Sequence, residues 1–366
     1  MFNKFLVPVC LCLAGVAALN AAPKKATTPP FTYIGAICMD AETGTVFAEE
    51  NADTVGQPAS VTKLMTLLLV LERVDSGRIS LKDTLTVSRD TANEGMRRGS
   101  SSVWLKQGEK FSIDELLYAL MIKSANDAAV ALAEHVAGNR AAFVQLMNTR
   151  AAELGMRSTR YTTPNGLPYS GVAPDVSSSR DLAILCRELL KHGDTLRYTS
   201  TKERVFRPDG IEGKGKTNLI NHNKLLWNFP DDACDGLKTG YTDAAGCSIA
   251  ATASRGGKRV IAIVLGGKGG VSARQAQRFR EAKAGEMMTN AFAKLGVSNA
   301  SATSYGKAPS PAVATPTTTG VVPATATPVA PATPATSTPV PAKATPVQPE
   351  TAPESSSGRQ SIFKFR

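Results

Sequence analysis

The stretch Ser60-Val-Thr-Lys-Leu-Met-Thr-Leu-Leu-Leu-Val-Leu-Glu-Arg-Val74 decides the fold prediction. Its apolar residues occupy nearly every side of a helix, whereas a surface helix carries them on one stripe. Pro58 stands just before it, as is typical of helix starts. We therefore predict a buried central helix over residues 60–74.

Strand patterns lie near both ends of the chain, and helical patterns lie between them. The predicted strands are residues 31–40, 45–49, 234–242, 247–254 and 258–266. Further helices are predicted within residues 112–154, over 178–191 and over 273–295. We predict an α+β fold in which N- and C-terminal segments build one antiparallel sheet, flanked by helices, with an all-helical lobe inserted between them.

Composition excludes two classes of protein. The 366 residues are 42% hydrophobic and 20% charged, which is ordinary for a globular protein and excludes a polytopic membrane protein. Of the net charge of +11, Lys4 carries +1 and residues 298–366 carry +3, and the modest +7 that remains suits an anionic membrane or cell wall as surroundings. No basic stripe interleaved with aromatic residues occurs, so we expect no nucleic-acid partner.

The two ends differ from the rest of the chain. Residues 1–22 combine an early lysine, Lys4, with an apolar run and small exit residues, which predicts a signal peptide and export to the periplasm or the outer face of the membrane. An uncleaved anchor is the alternative. Residues 298–366 hold 12 of the 22 prolines and predict a disordered spacer. Contact of its Phe/Arg-containing end with a membrane or wall, and solvated disorder, both stay open. Residues 23–297 form the predicted catalytic domain.

Cysteine and histidine give no metal pattern. No CxxC motif occurs, and the three histidines (His135, His192, His222) lack the spacing of metal ligands, so we expect no metal and no cofactor and interpret them as isolated structural residues. Four cysteines follow the predicted signal peptide: Cys38, Cys186, Cys234 and Cys247. In a hairpin turning at 243–246, Cys247 would face about Thr242, too far from Cys234 for a disulfide. We predict four buried free thiols.

Ser60-Val-Thr-Lys63 opens the predicted buried helix. Residues three apart lie on one face of a helix, so the Lys63 amine can reach the Ser60 hydroxyl. A serine nucleophile needs an adjacent base, and a lysine can serve when burial or a nearby cation keeps it partly neutral. An ordinary N-cap role for Ser60 is the alternative.

Two further short motifs follow along the chain. Ser124-Ala-Asn126 lies at the junction of two predicted helices, where both residues could also be N-caps. Lys238-Thr-Gly240 lies within a predicted strand, whose edge and glycine would let an extended peptide come close. An ordinary strand followed by a flexible turn is the alternative.

Together, SxxK, SxN and KTG in this order resemble the penicillin-binding serine acyltransferases. Other stretches resemble the low-molecular-weight D-alanyl-D-alanine carboxypeptidases more narrowly: Thr163-Pro-Asn-Gly-Leu-Pro168, Ser179-Arg-Asp-Leu-Ala183, Asn221-His-Asn-Lys-Leu-Leu226 and Asp235-Gly-Leu-Lys-Thr-Gly-Tyr-Thr-Asp-Ala-Ala-Gly246. The resemblance covers about residues 31–296. It implies a penicillin-binding/β-lactamase-like fold with the site between the sheet and the helical lobe.

The resemblance also implies a role for each motif residue. Ser60 would be the nucleophile, Lys63 its general base and Ser124 a proton relay to the leaving amine, while Asn126 would hold the substrate amide. Lys238 and Thr239 would bind the terminal carboxylate. Gly240 belongs to the same binding strand, and the backbone N–H groups of Ser60 and Tyr241 would form the oxyanion hole.

The expected function is removal of the terminal D-alanine from peptidoglycan stem peptides through an acyl-enzyme, with β-lactams as acylating inhibitors. A D,D-endopeptidase that cuts cross-links would use the same residues, and a non-catalytic muropeptide-binding protein could keep the fold. A β-lactamase fits less well, because we find no glutamate placed like the deacylating residue of class A enzymes.

Overall fold

The computed structural model describes residues 31–207 and 217–297. In chain order the strands are β1 (Gly35–Asp40), β2 (Val46–Glu50), β3 (Thr84–Thr86), β4 (Lys110–Ser112), β5 (Glu203–Arg207), β6 (Thr217–Ile220), β7 (Cys234–Thr242), β8 (Gly246–Arg255) and β9 (Lys258–Gly267). The helices are α1 (Lys63–Asp75), α2 (Arg89–Met96), α3 (Ile113–Tyr118), α4 (Asn126–Ala137), α5 (Arg140–Glu153), α6 (Ser179–Leu189), α7 (Thr195–Thr199), α8 (Leu225–Asn228) and α9 (Ala273–Lys294).

Five strands build one antiparallel sheet in the order β2-β1-β9-β8-β7. Strands β1 and β9 come from opposite ends of the chain and lie next to each other in the sheet, with Ala36 opposite Val264. The sheet therefore joins N- and C-terminal segments, as predicted. The first strand is shorter than the predicted 31–40, and Thr32 contributes an isolated bridge to Lys268.

Both faces of the sheet are covered, because successive strand residues point to opposite sides. On β1, Ile37 and Met39 join the larger core with α1 and the inserted helices, whereas Ala36 and Cys38 join a second core under α9. Residues 63–71 of α1 are all buried. This confirms the predicted central helix and explains why its apolar residues lack a single stripe.

The inserted lobe differs from the prediction in one respect, since it is not helical throughout. Two short antiparallel ribbons, β3–β4 and β5–β6, accompany its helices. Three of these four strands are three or four residues long, too short for an alternating pattern to distinguish them from loops.

All four cysteines of the described part are buried and free, which confirms the predicted thiols. Cys247 pairs with Tyr241 rather than Thr242, because Gly246 already takes the position opposite Thr242. Cys234 lies at the other end of β7, opposite Ala253 of β8. The predicted signal peptide and tail lie outside the described residues. Among residues 31–207 and 217–297, no helix combines the length and apolarity needed to cross a membrane.

Candidate active site

Ser60 lies in a single 3₁₀ turn, Ala59–Thr62, that runs directly into α1. The α-helix proper begins at Lys63 rather than at Ser60, and no side-chain cap bond occurs there. Two glycines lie close against the backbone of this turn. A Cβ at Gly166 would lie 1.9 Å from the Ala59 carbonyl oxygen, and one at Gly240 would lie 2.4 Å from that of Pro58. Both positions therefore require glycine.

The Lys63 side chain is fully buried and touches three oxygens. Its Nζ lies 3.0 Å from Ser60 Oγ, and it donates to Asn126 Oδ1 at 2.6 Å and to the Asn165 carbonyl oxygen at 2.6 Å. Burial lowers the pKa of Lys63 well below its usual value, and the nearby charge of Lys238 lowers it further.

These contacts define what a neutral Lys63 can do. Its two N–H bonds are directed to Asn126 and Asn165, which leaves the lone pair for the Ser60 hydroxyl. The spacing of three residues thus gives the contact that the sequence predicts. This is the geometry a general base needs before it can accept a proton.

Ser124 and Asn126 approach the same point from the end of a π-helical turn, Ala119–Lys123. Ser124 has a φ of 62°, an uncommon conformation for serine, and its buried Oγ has no hydrogen-bond partner among the described residues. Asn126 begins α4, and its Nδ2 donates to Ser100 Oγ at 3.1 Å. The Asn126 amide therefore bonds Lys63 and Ser100 on its two sides.

The third motif lies on β7, the strand at the edge of the sheet beside the Ser60 turn. Lys238 is buried and donates from Nζ to the Thr239 carbonyl oxygen at 3.1 Å. Burial, with a further contribution from Arg280, lowers the pKa of Lys238 to about 7. A lysine that is half neutral near pH 7 becomes fully charged beside an anion.

A cavity of about 400 Å³ joins these elements. Five predicted site residues line it: Ser60, Ser124, Thr239, Gly240 and Tyr241. The other three predicted residues, Lys63, Asn126 and Lys238, do not line it. Lys63 contacts Ser60, and Lys238 contacts Thr239, so both lie directly behind the cavity wall.

Six lining residues were absent from the predicted site: Gly99, Ser101, His222, Lys224, Gln277 and Arg280. His222 corrects our interpretation of the histidines as isolated structural residues. His222 belongs to the stretch Asn221-His-Asn-Lys-Leu-Leu226. That stretch contributes to the family resemblance, but the resemblance implies no role for His222. Arg280 comes from α9, and its Nη1 donates to the Ser248 carbonyl oxygen at 3.2 Å.

Lysine and arginine side chains give this cavity a cationic character. Lys224 and Arg280 line it, and Lys238 lies behind it. The cavity thus combines a serine with an adjacent amine, an unpartnered hydroxyl and a cationic wall suited to a carboxylate. Within residues 31–207 and 217–297, no three His, Cys, Asp or Glu side chains are placed to hold a metal ion.

Comparison with known proteins shows the family of the chain. The family model for D-alanyl-D-alanine carboxypeptidase matches residues 23–269. D-alanyl-D-alanine carboxypeptidase DacF of Bacillus subtilis is 35% identical over 262 residues, which cover 69% of this chain and 64% of DacF. DacA of Escherichia coli is 34% identical over 275 residues, covering 73% and 66%. The chain thus spans just under two thirds of the length of these relatives.

Among solved structures, penicillin-binding protein D2 of Listeria monocytogenes in its cefotaxime-bound form superposes with a TM-score of 0.60 at 34% identity. The match covers 71% of this chain and 97% of that protein. It confirms the predicted penicillin-binding-protein fold. The chain belongs to the D-alanyl-D-alanine carboxypeptidase family.

Proposed function

We propose that the protein is a serine D,D-carboxypeptidase that releases the terminal D-alanine from peptidoglycan stem peptides. One observation carries the proposal: Lys63 Nζ lies 3.0 Å from Ser60 Oγ, with its other contacts made to two fixed acceptors. A buried amine in that position activates the serine without a histidine.

In the proposed reaction, Ser60 Oγ attacks the carbonyl carbon between the last two residues, and Lys63 accepts the hydroxyl proton. The oxyanion is stabilised by the backbone N–H groups of Ser60 and Tyr241, each of which would contribute roughly a hundredfold or more in rate. Ser124 relays the proton from the Lys63 ammonium to the departing D-alanine nitrogen, which leaves Lys63 neutral again. Water then hydrolyses the ester on Ser60, which regenerates the hydroxyl.

Recognition of the substrate would rest on its free carboxylate. Thr239 and Arg280 line the cavity, and Lys238 lies behind Thr239, so an anion in this part of the cavity meets two cations and a hydroxyl. Asn126 does not line the cavity, but its Nδ2 has a second N–H besides the one given to Ser100, and this group would contact the substrate amide. A β-lactam carries an equivalent carboxylate and a reactive amide, so it would acylate Ser60 in the same way.

We also propose that the chain is exported to the periplasm or the outer face of the cytoplasmic membrane, where such a substrate lies. The apolar run of residues 1–22 supports a signal peptide, and the Pro-rich composition of residues 298–366 supports a spacer that contacts membrane or wall.

The test is covalent labelling. Intact mass spectrometry should show one penicillin adduct on the wild-type protein and none on Ser60→Ala. Ser76→Ala is the matched control, because Ser76 lies at the other end of α1 and its hydroxyl donates to the Arg73 carbonyl oxygen. It should keep the adduct.

A mass spectrum of the products from a pentapeptide stem should then show loss of one D-alanine. An adduct on the Ser60→Ala variant, or cleavage confined to cross-linked peptides, would contradict the proposal.

A further inference from the structure

Glu94, on α2, is a buried carboxylate close to the Lys63 site, and its side chain has no solvent exposure. Oε1 accepts from Arg97 Nη1 at 2.7 Å and from Asn165 Nδ2 at 2.9 Å. Oε2 accepts from the Tyr169 hydroxyl at 2.8 Å. Burying a carboxylate is costly unless it is paired and hydrogen-bonded, and Glu94 is both.

Asn165 connects this carboxylate to the active site. Its side-chain amide donates to Glu94, and its carbonyl oxygen accepts from Lys63 Nζ at 2.6 Å. The adjoining loop is held to α1 as well, since Thr66 Oγ1 donates to the Pro164 carbonyl oxygen at 2.6 Å. Glu94 therefore holds the Asn165 side chain, and the Asn165 main-chain carbonyl in turn orients Lys63.

Among the described residues, four charged groups have the largest effect on the pKa of Lys63. Lys238 opposes its ammonium form, and three carboxylates favour it: Glu94, Asp175 and Asp127. Asp127 accepts from the backbone N–H groups of Val103 and Leu105, while Asp175 accepts from Thr62 and from the loop at Thr162 and Thr163. Both hold main chain in place.

Glu94 cannot itself act as a base on the substrate. Both of its oxygens already accept hydrogen bonds, and it does not line the cavity. Its influence on the reaction must pass through Asn165 and through its charge.

We propose that Glu94 is a positioning residue for Lys63: it holds the Asn165 loop that orients the lysine amine, and its negative charge stabilises the ammonium form. This inference rests on the proposed function, in which Lys63 is the general base. The reaction needs both protonation states of Lys63. Burial and Lys238 favour the neutral amine, which accepts the Ser60 proton, and the charge of Glu94 then stabilises the ammonium that results.

The experiment measures the Lys63 pKa directly in the full-length protein. With ¹³C-labelled lysine, NMR titration follows each ε-carbon, and the signal missing in Lys63→Arg identifies Lys63. Glu94→Gln removes a negative charge with little change of shape, so the Lys63 pKa should fall by about one unit. The acid limb of penicillin acylation should shift to lower pH by the same amount.

Two further variants test the effect of charge. Glu94 is paired with two guanidinium groups, that of Arg97 at 2.7 Å and that of Arg140 at 3.7 Å. Arg97→Gln removes the nearer one, together with its hydrogen bond to the Pro168 carbonyl oxygen, so the Lys63 pKa should rise. Glu134→Gln is the matched control, because Glu134 also contacts α2, where it accepts from Ser88 and Thr91, and it should leave Lys63 unchanged.

Absence of a Lys63 shift in both Glu94→Gln and Arg97→Gln would overturn the inference. If Glu94→Gln does not fold, Arg97→Gln decides it, since Arg97 is partly exposed. The wild-type protein could also form no penicillin adduct and release no D-alanine, while the Lys63 pKa still shifts as expected in the variants. That result would uphold the link between Glu94 and Lys63 and overturn the proposed function alone.

Discussion

Lys238 combines two opposed requirements in one side chain. It is buried, which favours the neutral amine, yet binding of a substrate carboxylate requires the ammonium. Its pKa of about 7 means that Lys238 changes from ammonium to neutral amine within the pH range in which most enzymes work. Above this pH the charged fraction of Lys238 in the free protein falls up to tenfold per pH unit, so the proposed carboxylate binding should weaken as pH rises.

This gives a residue-level prediction. KM for a peptide with a free terminal carboxylate should rise between pH 7 and 9, whereas KM for the amidated peptide should stay nearly constant. In Lys238→Arg the difference in KM between the two peptides should no longer depend on pH, because a guanidinium stays charged. Steady-state kinetics of both peptides from pH 6 to 9 checks it, and parallel curves for the two peptides would exclude this role for Lys238.

Single residues also show what the sequence could and could not predict about the site. The contact of Ser60 with Lys63 follows from helical spacing alone, so it was predictable. Arg280 carries no local signal, because it lies on α9, 40 residues beyond the strand motif, and reaches the cavity only through packing of α9 on the sheet. Glu94 was equally hidden in a polar segment.

At the level of elements, the Ser60 turn depends on close contact with the loop at Gly166. Gly166 has a φ of +84°, and an added Cβ would overlap the Ala59 carbonyl. Gly138, at the end of α4, has a similar φ of +79° but open space around it. The two glycines therefore separate backbone strain from steric overlap.

We expect Gly138→Ala to cost about 1 kcal/mol of stability from the left-handed conformation alone, with penicillin acylation unchanged. Gly166→Ala should cost about 1–3 kcal/mol more, as overpacking does, and should slow acylation by displacing Ser60. Denaturant unfolding and acylation rates of both variants check this. Equal behaviour of the two would show that the contact with Ala59 is unimportant.

The elements differ in how readily sequence reveals them. β7, β8 and β9 are long and mostly buried, and their predicted bounds agree with the structure to within one residue. Helix α2 escaped prediction because its buried residues are Thr91, Glu94 and Gly95. Such residues show no apolar periodicity, and their burial is stabilised by hydrogen bonds formed with distant segments.

At the scale of the whole molecule, described residues form both cores and the cavity, and every predicted site residue precedes α9. Within the described residues α9 is the last element, and it covers the outer face of the sheet and supplies Arg280. We therefore expect a chain ending at Gly296 to keep its melting temperature and its activity on a soluble peptide.

A chain ending at Gly270 is the contrasting variant. It lacks α9 and exposes the outer face of the sheet, so it should not yield a folded protein. Calorimetry and D-alanine release check both. Unfolding or inactivity of the longer variant would show that residues beyond 296 pack on the catalytic domain and are not a disordered spacer.

The pairing of β1 with β9 also constrains when the protein can fold during synthesis. β1 ends at Asp40, and its partner begins at Lys258, so a ribosome adding 5–20 residues per second needs roughly 10 to 45 seconds to supply it. Until then the sheet lacks the strand that joins β7 and β8 to β1, so the Ser60 turn has no completed sheet beside it. If Ser60 is the nucleophile, a nascent chain that stops before β9 should therefore be inactive, and activity should arise only in the last third of translation.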